Sequence, residues 1–253
     1  MWTTATECGI GRKMKINLFI VRHGIRQDND DKTWVHTAKL PKDPPLSKRG
    51  FKQAAEVAKF LNSSQAVNYI YASPYLRTLQ TGSTISKHLA LPAPVRIEHG
   101  LREWVHTKFE GPLFISRKEA SSIDKIDEDF YSEYLCDVST EDPTQLAQRC
   151  ADFIQYFLKH IYEVAVRSGN ETTTVVLVSH AATVIGMIRA LLKNHQLPLS
   201  IGTCSLTQFT IDYSDTDPSW KMEMLGNCNH LDDGEQCAWG FPEEQTTLSF
   251  DKK

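Results

Sequence analysis

The sequence predicts an α/β protein, a three-layer α/β/α sandwich on a mostly parallel central sheet. Three observations predict it. Short β-rich runs alternate along the chain with longer stretches whose apolar residues follow helical spacing. The longest apolar runs, such as residues 174–178, are of strand length and far short of the roughly 20 residues a membrane span requires. The chain of 253 residues, 41% hydrophobic and 23% charged, is long enough to bury one full core.

The elements follow in order. Residues 1–13 show no periodicity, so a disordered N-terminal extension is expected there, and translation from Met14 instead of Met1 would lose nothing essential. Residues 16–21 form a first strand. Ser47 caps a helix whose apolar positions Phe51, Ala54, Ala55, Ala58 and Leu61 follow helical spacing. Residues 67–72 alternate as a second strand, and Ser73-Pro74 supplies an N-cap and first-turn proline for a helix to about residue 89. Residues 94–98 read as a third strand. The polar, aromatic-dotted stretch over about 104–142 lacks clean periodicity and reads as a cap or lid insertion. Pro143 then opens a long helix through residue 167, stopped by Ser168-Gly169. A strand over 173–178 and a helix over 182–193 complete another β/α step. Residues 204–213 and 220–225 close the fold as a hairpin. A single domain over 14–241 and a polar C-terminal tail over 242–253 are therefore expected; no internal repeat or low-complexity linker divides the chain.

Composition narrows the function. A formal net charge of -3 provides no global basic field, so direct nucleic-acid binding is not expected and any anion site must be local. The six cysteines, Cys8, Cys136, Cys150, Cys204, Cys228 and Cys237, include no CxxC pair, and no secretory segment precedes them. Reduced thiols and a cytoplasmic or nuclear setting are expected, with no membrane. The spacing of Cys228, His230 and Cys237 does not supply a zinc site.

The chemistry-bearing residues fall at strand ends. Arg22-His23 and Ser179-His180 each lie just past a β-rich run, at the edge of an α/β sheet where ligands bind. Arg77 sits in the first turn of a helix, where free N–H groups favour an anion, and Arg26 lies one short step beyond His23. Converged, three guanidiniums and two imidazoles suit a tetrahedral dianion, with phosphate the natural occupant. A neutral imidazole on His23 can attack phosphorus and form a phosphohistidine that water later cleaves. The arginines neutralise the equatorial oxygens, so neither a metal nor another cofactor is required. Glu103 is the candidate acid for the leaving group and later the base for water, with Glu110 in reserve. Gly24 would let backbone approach the anion. Trp34, Trp104, Phe109 and Phe114 either line a substrate pocket or pack a lid. His36, His88, His99, His106, His160 and His195 are assigned no chemistry, and the lysines Lys13, Lys15, Lys39, Lys42 and Lys48 are read with Arg49 as ordinary surface charge.

At these residues the chain resembles the histidine phosphatase superfamily, also called phosphoglycerate mutase-like, across nearly all of residues 15–226. Val21-Arg22-His23-Gly24 is similar to the family signature. Pro45-Leu46-Ser47-Lys48-Arg49-Gly50 with Gln53-Ala54 resembles the helix start that follows it. Ala72-Ser73-Pro74-Tyr75-Leu76-Arg77 with Gln80-Thr81 resembles the second phosphate-binding segment, and Ser179-His180-Ala181 the second histidine. The resemblance implies His23 as nucleophile, Arg22, Arg26, Arg77 and His180 as phosphate ligands, and Glu103 as proton donor. Arg26 and the Glu103-Trp104 pair are most similar to the T-cell receptor suppressor phosphatases and the small tau subunit of yeast transcription factor IIIC. The tau likeness continues through Gly202-Thr203-Cys204-Ser205-Leu206, Gly226-Asn227, Gly234-Glu235 and Trp239-Gly240-Phe241, residues without evident catalytic chemistry that pack the sheet edge or present a partner surface. Ile25 departs from the family, many of whose members carry a polar residue there. The expected activity is metal-independent phosphomonoester hydrolysis on a phosphorylated small molecule or phosphoprotein. A subunit role among protein partners in a transcription-factor complex and a mutase reaction are the alternatives.

Overall fold

The structure is a computed structural model and describes residues 14–64, 66–134, 140–213 and 218–242. The expected N-terminal extension and all but the first residue of the expected tail lie outside the described residues. In chain order the elements are β1 (Met14–Arg22), α1 (Gln27–Asp30), α2 (Lys48–Ser64), β2 (Tyr69–Ala72), α3 (Leu76–His88), β3 (Val95–Ile97), α4 (Arg117–Ala120), α5 (Pro143–Ser168), β4 (Thr172–Ser179), α6 (Ala181–Leu192), β5 (Leu206–Tyr213) and β6 (Ser219–Asn227).

The six strands are ordered β3-β2-β4-β1-β5-β6. The first four run parallel; β5 is antiparallel to β1 and pairs with β6 as the expected hairpin. The two central strands are buried along most of their length, which is why they read as continuous apolar runs. Their side chains alternate between faces. Ile16, Leu18, Ile20, Val175 and Leu177 pack against α5 and α6 through Phe153, Phe157, Val184 and Ile188. Phe19, Val21, Val176 and Val178 pack against α2 and α3 through Val57, Leu61, Leu79 and Ile85. The result is the three-layer sandwich the sequence predicts.

Local signals set most boundaries. Ser47 Oγ accepts from Gly50 N at the start of α2. Asp142 and Gln145 form a capping box ahead of Pro143, and Gly169 ends α5 at φ 76°, a left-handed conformation that favours glycine. The start of α3 differs from expectation. Ser73 does not cap it; the helix begins at Leu76, whose N–H donates to both carboxylate oxygens of Asp43 at 2.9 and 3.0 Å. A carboxylate 33 residues away supplies the cap, and Ser73 is left free for the site. Cys204, expected to start a strand, lies at φ 54° in the loop before β5.

The stretch over 104–142 holds one helical turn, α4, among its described residues. Its base is stitched: Glu141 N donates to Val105 O at 2.8 Å and Trp104 Nε1 to Glu141 O at 2.9 Å. Midway it covers the exposed edge of β3, where Val95 bonds to Lys125 and Asp127.

Candidate active site

The β1/β4 register aligns Arg22 with Ser179, so the residues after both strands emerge together at the carboxyl edge of the sheet. His23 N donates to Ser179 O at 2.9 Å, and the His23 and His180 rings lie 5.4 Å apart, edge to face. A cavity of about 440 Å³ opens there, lined by Arg22, His23, Arg26, Arg77 and Glu103 among others.

His23 is 2% exposed. Its Nδ1 lies 2.8 Å from Gly24 O, a carbonyl that can only accept, so Nδ1 carries the proton and Nε2 keeps its lone pair. Burial, followed by the Arg77 and Arg22 guanidiniums and His180, holds its pKa well below 6.5. The ring is therefore neutral at physiological pH. The following backbone is clamped: Gly24 N donates to Thr81 Oγ1 and Ile25 N to Gln53 Oε1. Gly24 has a steric reason to be glycine. A Cβ on it would sit 2.6 Å from Gly50 O, so its smallness lets the loop pass the start of α2. Ile25 is a core residue, 1% exposed, and does not face the cavity.

Arg22 and Arg77 are fixed by groups that leave part of each fork unused. Arg22 Nη1 donates to the carbonyls of Ile201 (2.7 Å) and Cys237 (2.6 Å), while its buried Nε has no partner. Desolvation lowers its pKa to about 10, leaving it charged. Arg77 stacks on the Tyr75 ring at 4.6 Å and donates to Asp43 Oδ1 (3.3 Å) and Glu103 Oε2 (3.2 Å); its Nε is also unpartnered. Two orphaned guanidinium N–H groups beside a cavity are what an oxyanion would satisfy. Arg26 lines the same cavity but lies at its partly exposed rim, held bidentately by Asp28 at 2.9 and 2.7 Å.

His180 is fully buried and does not line the cavity. It sits behind Glu103, with Nε2 2.8 Å from Ser73 Oγ and Nδ1 3.3 Å from Glu103 Oε2 without hydrogen-bond alignment. Burial, outweighing the attraction of Glu103, lowers its pKa to about 4. For Glu103, burial pushes upward, but His180 and then Arg77 outweigh it, and the carboxylate is held well below 4.5. Glu103 is thus ionised in the empty site. Glu110 is exposed and away from the cavity. His23, Glu103 and His180 present ligand atoms within 4.8 Å of one another, the set among the described residues that could hold a metal. The two guanidiniums facing the same space favour an anion over a cation.

Several cavity residues escape sequence reasoning. Trp239 lines it, as do Lys42 and His106; of the four aromatics singled out, Trp104 and Phe109 line it and Trp34 and Phe114 do not. Ala181 and Ala182 also line it, at the N-terminus of α6, which no side chain caps, so the helix turns its positive end toward the site. Asp43 is the most consequential omission. Besides capping α3 and pairing with Arg77, it accepts from Ile115 N at 3.2 Å. No local signal in the Asp-Pro-Pro run marks these partners. His230 Nε2 bonds Cys204 O at 3.0 Å.

Arginines beside a neutral histidine at a sheet edge occur in many contexts, but the profile of the histidine phosphatase superfamily (branch 1) matches residues 18–222, most of the chain. The chain belongs to this superfamily. Among its relatives, the transcription factor tau 55 kDa subunit of Saccharomyces cerevisiae is 25% identical over 88% of the chain, which spans 58% of that subunit's length. A broad-specificity phosphatase of the same yeast is 27% identical, over 87% of this chain and 89% of its own. The ecdysone phosphate phosphatase from Bombix mori, solved with tungstate, superposes with a TM-score of 0.67 at 20% identity, over 83% of this chain and 92% of that one, a likeness of fold.

Proposed function

We propose that this histidine phosphatase hydrolyses phosphomonoesters without a metal, through a phosphohistidine on His23. The observation that carries the reading is the neutral, Nδ1-protonated His23 beside two guanidiniums with buried, unpartnered Nε groups. The phosphoryl group sits against Arg22, Arg77 and the N-terminus of α6, with Arg26 free to reach it from the rim once released from Asp28. His23 Nε2 attacks phosphorus as the bond to the leaving oxygen breaks, and the arginines balance the charge on the equatorial oxygens.

Glu103 protonates the leaving oxygen. It is ionised in the empty site, but an incoming monoester offsets the positive field that holds its pKa down. With a second pKa near 6, a monoester can also bring the proton itself. Water then attacks the phosphohistidine, Glu103 takes its proton, and phosphate leaves with His23 restored. His180, held by Ser73, stands behind Glu103 with its Nδ1 3.3 Å from Oε2 and backs that side of the carboxylate. The 104–142 stretch acts as a cap, bringing Trp104 and Phe109 to the cavity mouth.

The expected result is that His23→Ala abolishes phosphate release from 4-nitrophenyl phosphate with the fold intact by circular dichroism, while wild-type turnover persists in excess chelator. A wild-type protein inactive across pH 5 to 8 would sink the reading. The 25% identity with the tau 55 kDa subunit over most of the chain supports a second reading, a subunit held by protein partners in a nuclear transcription-factor complex. Affinity capture of the intact protein without polymerase III factors would remove it.

A further inference from the structure

After β6 the chain turns back over the carboxyl edge of the sheet as a strap, and its backbone is fixed at several points. Thr203 N donates to Gln236 O at 3.0 Å. Ile201 and Trp239 exchange both backbone hydrogen bonds, at 2.9 and 3.2 Å. Gly240 presses on Leu199 so closely that a Cβ would meet its carbonyl oxygen at 2.5 Å. A strap needed only to cover an edge could carry any side chains. This one gives the Cys237 carbonyl to Arg22 and turns Trp239 into the cavity.

Trp239 is backed by other rings. Phe241 packs on it at 5.1 Å and on Trp104 at 5.5 Å, and Trp104 lines the cavity too, with its indole N–H held by Glu141 O. With its indole N–H committed there, Trp104 offers the cavity its ring, next to Trp239. The remaining wall includes Tyr75, Val105, Phe109 and Leu113. One cavity therefore holds both the guanidiniums of Arg22 and Arg77 and the rings of Tyr75, Trp104, Phe109 and Trp239.

We propose that Trp239 is a specificity-determining residue, the surface on which the flat apolar face of a leaving group rests, so that the enzyme prefers phosphate esters of aryl-bearing alcohols over those of small or polyhydroxy alcohols. The inference rests on the phosphatase reading. Stacking on a preformed, half-buried indole removes apolar area from water at little ordering cost.

The test compares 2-phenylethyl phosphate with ethyl phosphate, both esters of primary alcohols, so that leaving-group chemistry is similar and the ring is the variable. Wild type is expected to show the higher kcat/KM on the phenylethyl ester. Trp239→Ala should reduce that preference about tenfold, mainly through KM, and Trp239→Phe should restore most of it. If the ratio in Trp239→Ala stays within about twofold of wild type, or both esters lose equally, the inference is overturned and Trp239 only anchors the strap that carries the Cys237 carbonyl to Arg22. A wild type that hydrolyses neither ester overturns the phosphatase reading and this inference with it.

Discussion

His23 remains a free base because three positive or dipolar neighbours and complete burial oppose its protonation. Its pKa lies well below 6.5, so lowering the pH from 7.5 to 5.5 does not consume the nucleophile, while Glu103, depressed below 4.5 in the empty site, is helped toward its acid form. The sign of the pH effect follows: kcat/KM should hold or rise as pH falls over that range. A decline with an apparent pKa near 6.5, read from initial rates in a constant-ionic-strength buffer series and unchanged between monoesters whose own second pKa values differ, would show that His23 titrates normally and would remove the structural basis of the nucleophile. His23, Arg22, Arg77 and Glu103 were legible because each sits next to a strand end or helix start that local periodicity marks. Asp43, Ser73 as the partner of His180, and Trp239 were not. Their roles depend on pairings 33, 107 and 38 residues apart, and neither a loop aspartate nor a strap tryptophan carries a local signal of its destination.

At the scale of elements, the placement of Glu103 depends on a buried cluster between α5 and the base of the 104–142 stretch. Glu141 Oε1 accepts from Arg102 and from Arg149 of α5, both at 2.7 Å, and Arg149 also donates to Gly100 O. All three side chains are at least nine-tenths buried. Removing the one acid strands two buried guanidiniums, so Glu141→Ala should cost about 3–5 kcal/mol in urea unfolding. Arg149→Met should cost less, because Glu141 keeps Arg102, and the double variant should be less destabilised than the sum of the two. Additive losses would mean the cluster is not one network. The strand and helix order was readable from period and caps, and α5 was delimited within a residue or two because capping box and Gly169 are both local. The cluster was not readable, since Glu141 looked like one more polar residue in a stretch without periodicity, and α3 began late because its cap comes from another loop.

At the scale of the whole molecule, burial acts on several histidines at once. Burial lowers the pKa of His23, His99, His160, His180 and His230, and His180 falls to about 4. An unfolded chain binds protons at these groups near pH 6.5, before the folded one does, so stability is complete above that pH and is lost as pH drops toward the folded values. Three carboxyls oppose this. Burial raises Asp43 to about 6 and raises Glu98 and Glu56, so each binds its proton more readily when folded and contributes stability as pH falls through that window. Five imidazoles against three carboxyls leave a net loss. His180 alone, shifted from 6.5 to about 4, accounts for about 3 kcal/mol by pH 4. The melting temperature should therefore fall by several degrees between pH 7 and 5, His180→Gln should flatten that slope, and Asp43→Asn should steepen it. Calorimetry across the pH series checks all three. A melting temperature that rises on acidification would mean that the buried imidazoles are charged in the folded protein, and with it the neutral nucleophile would go.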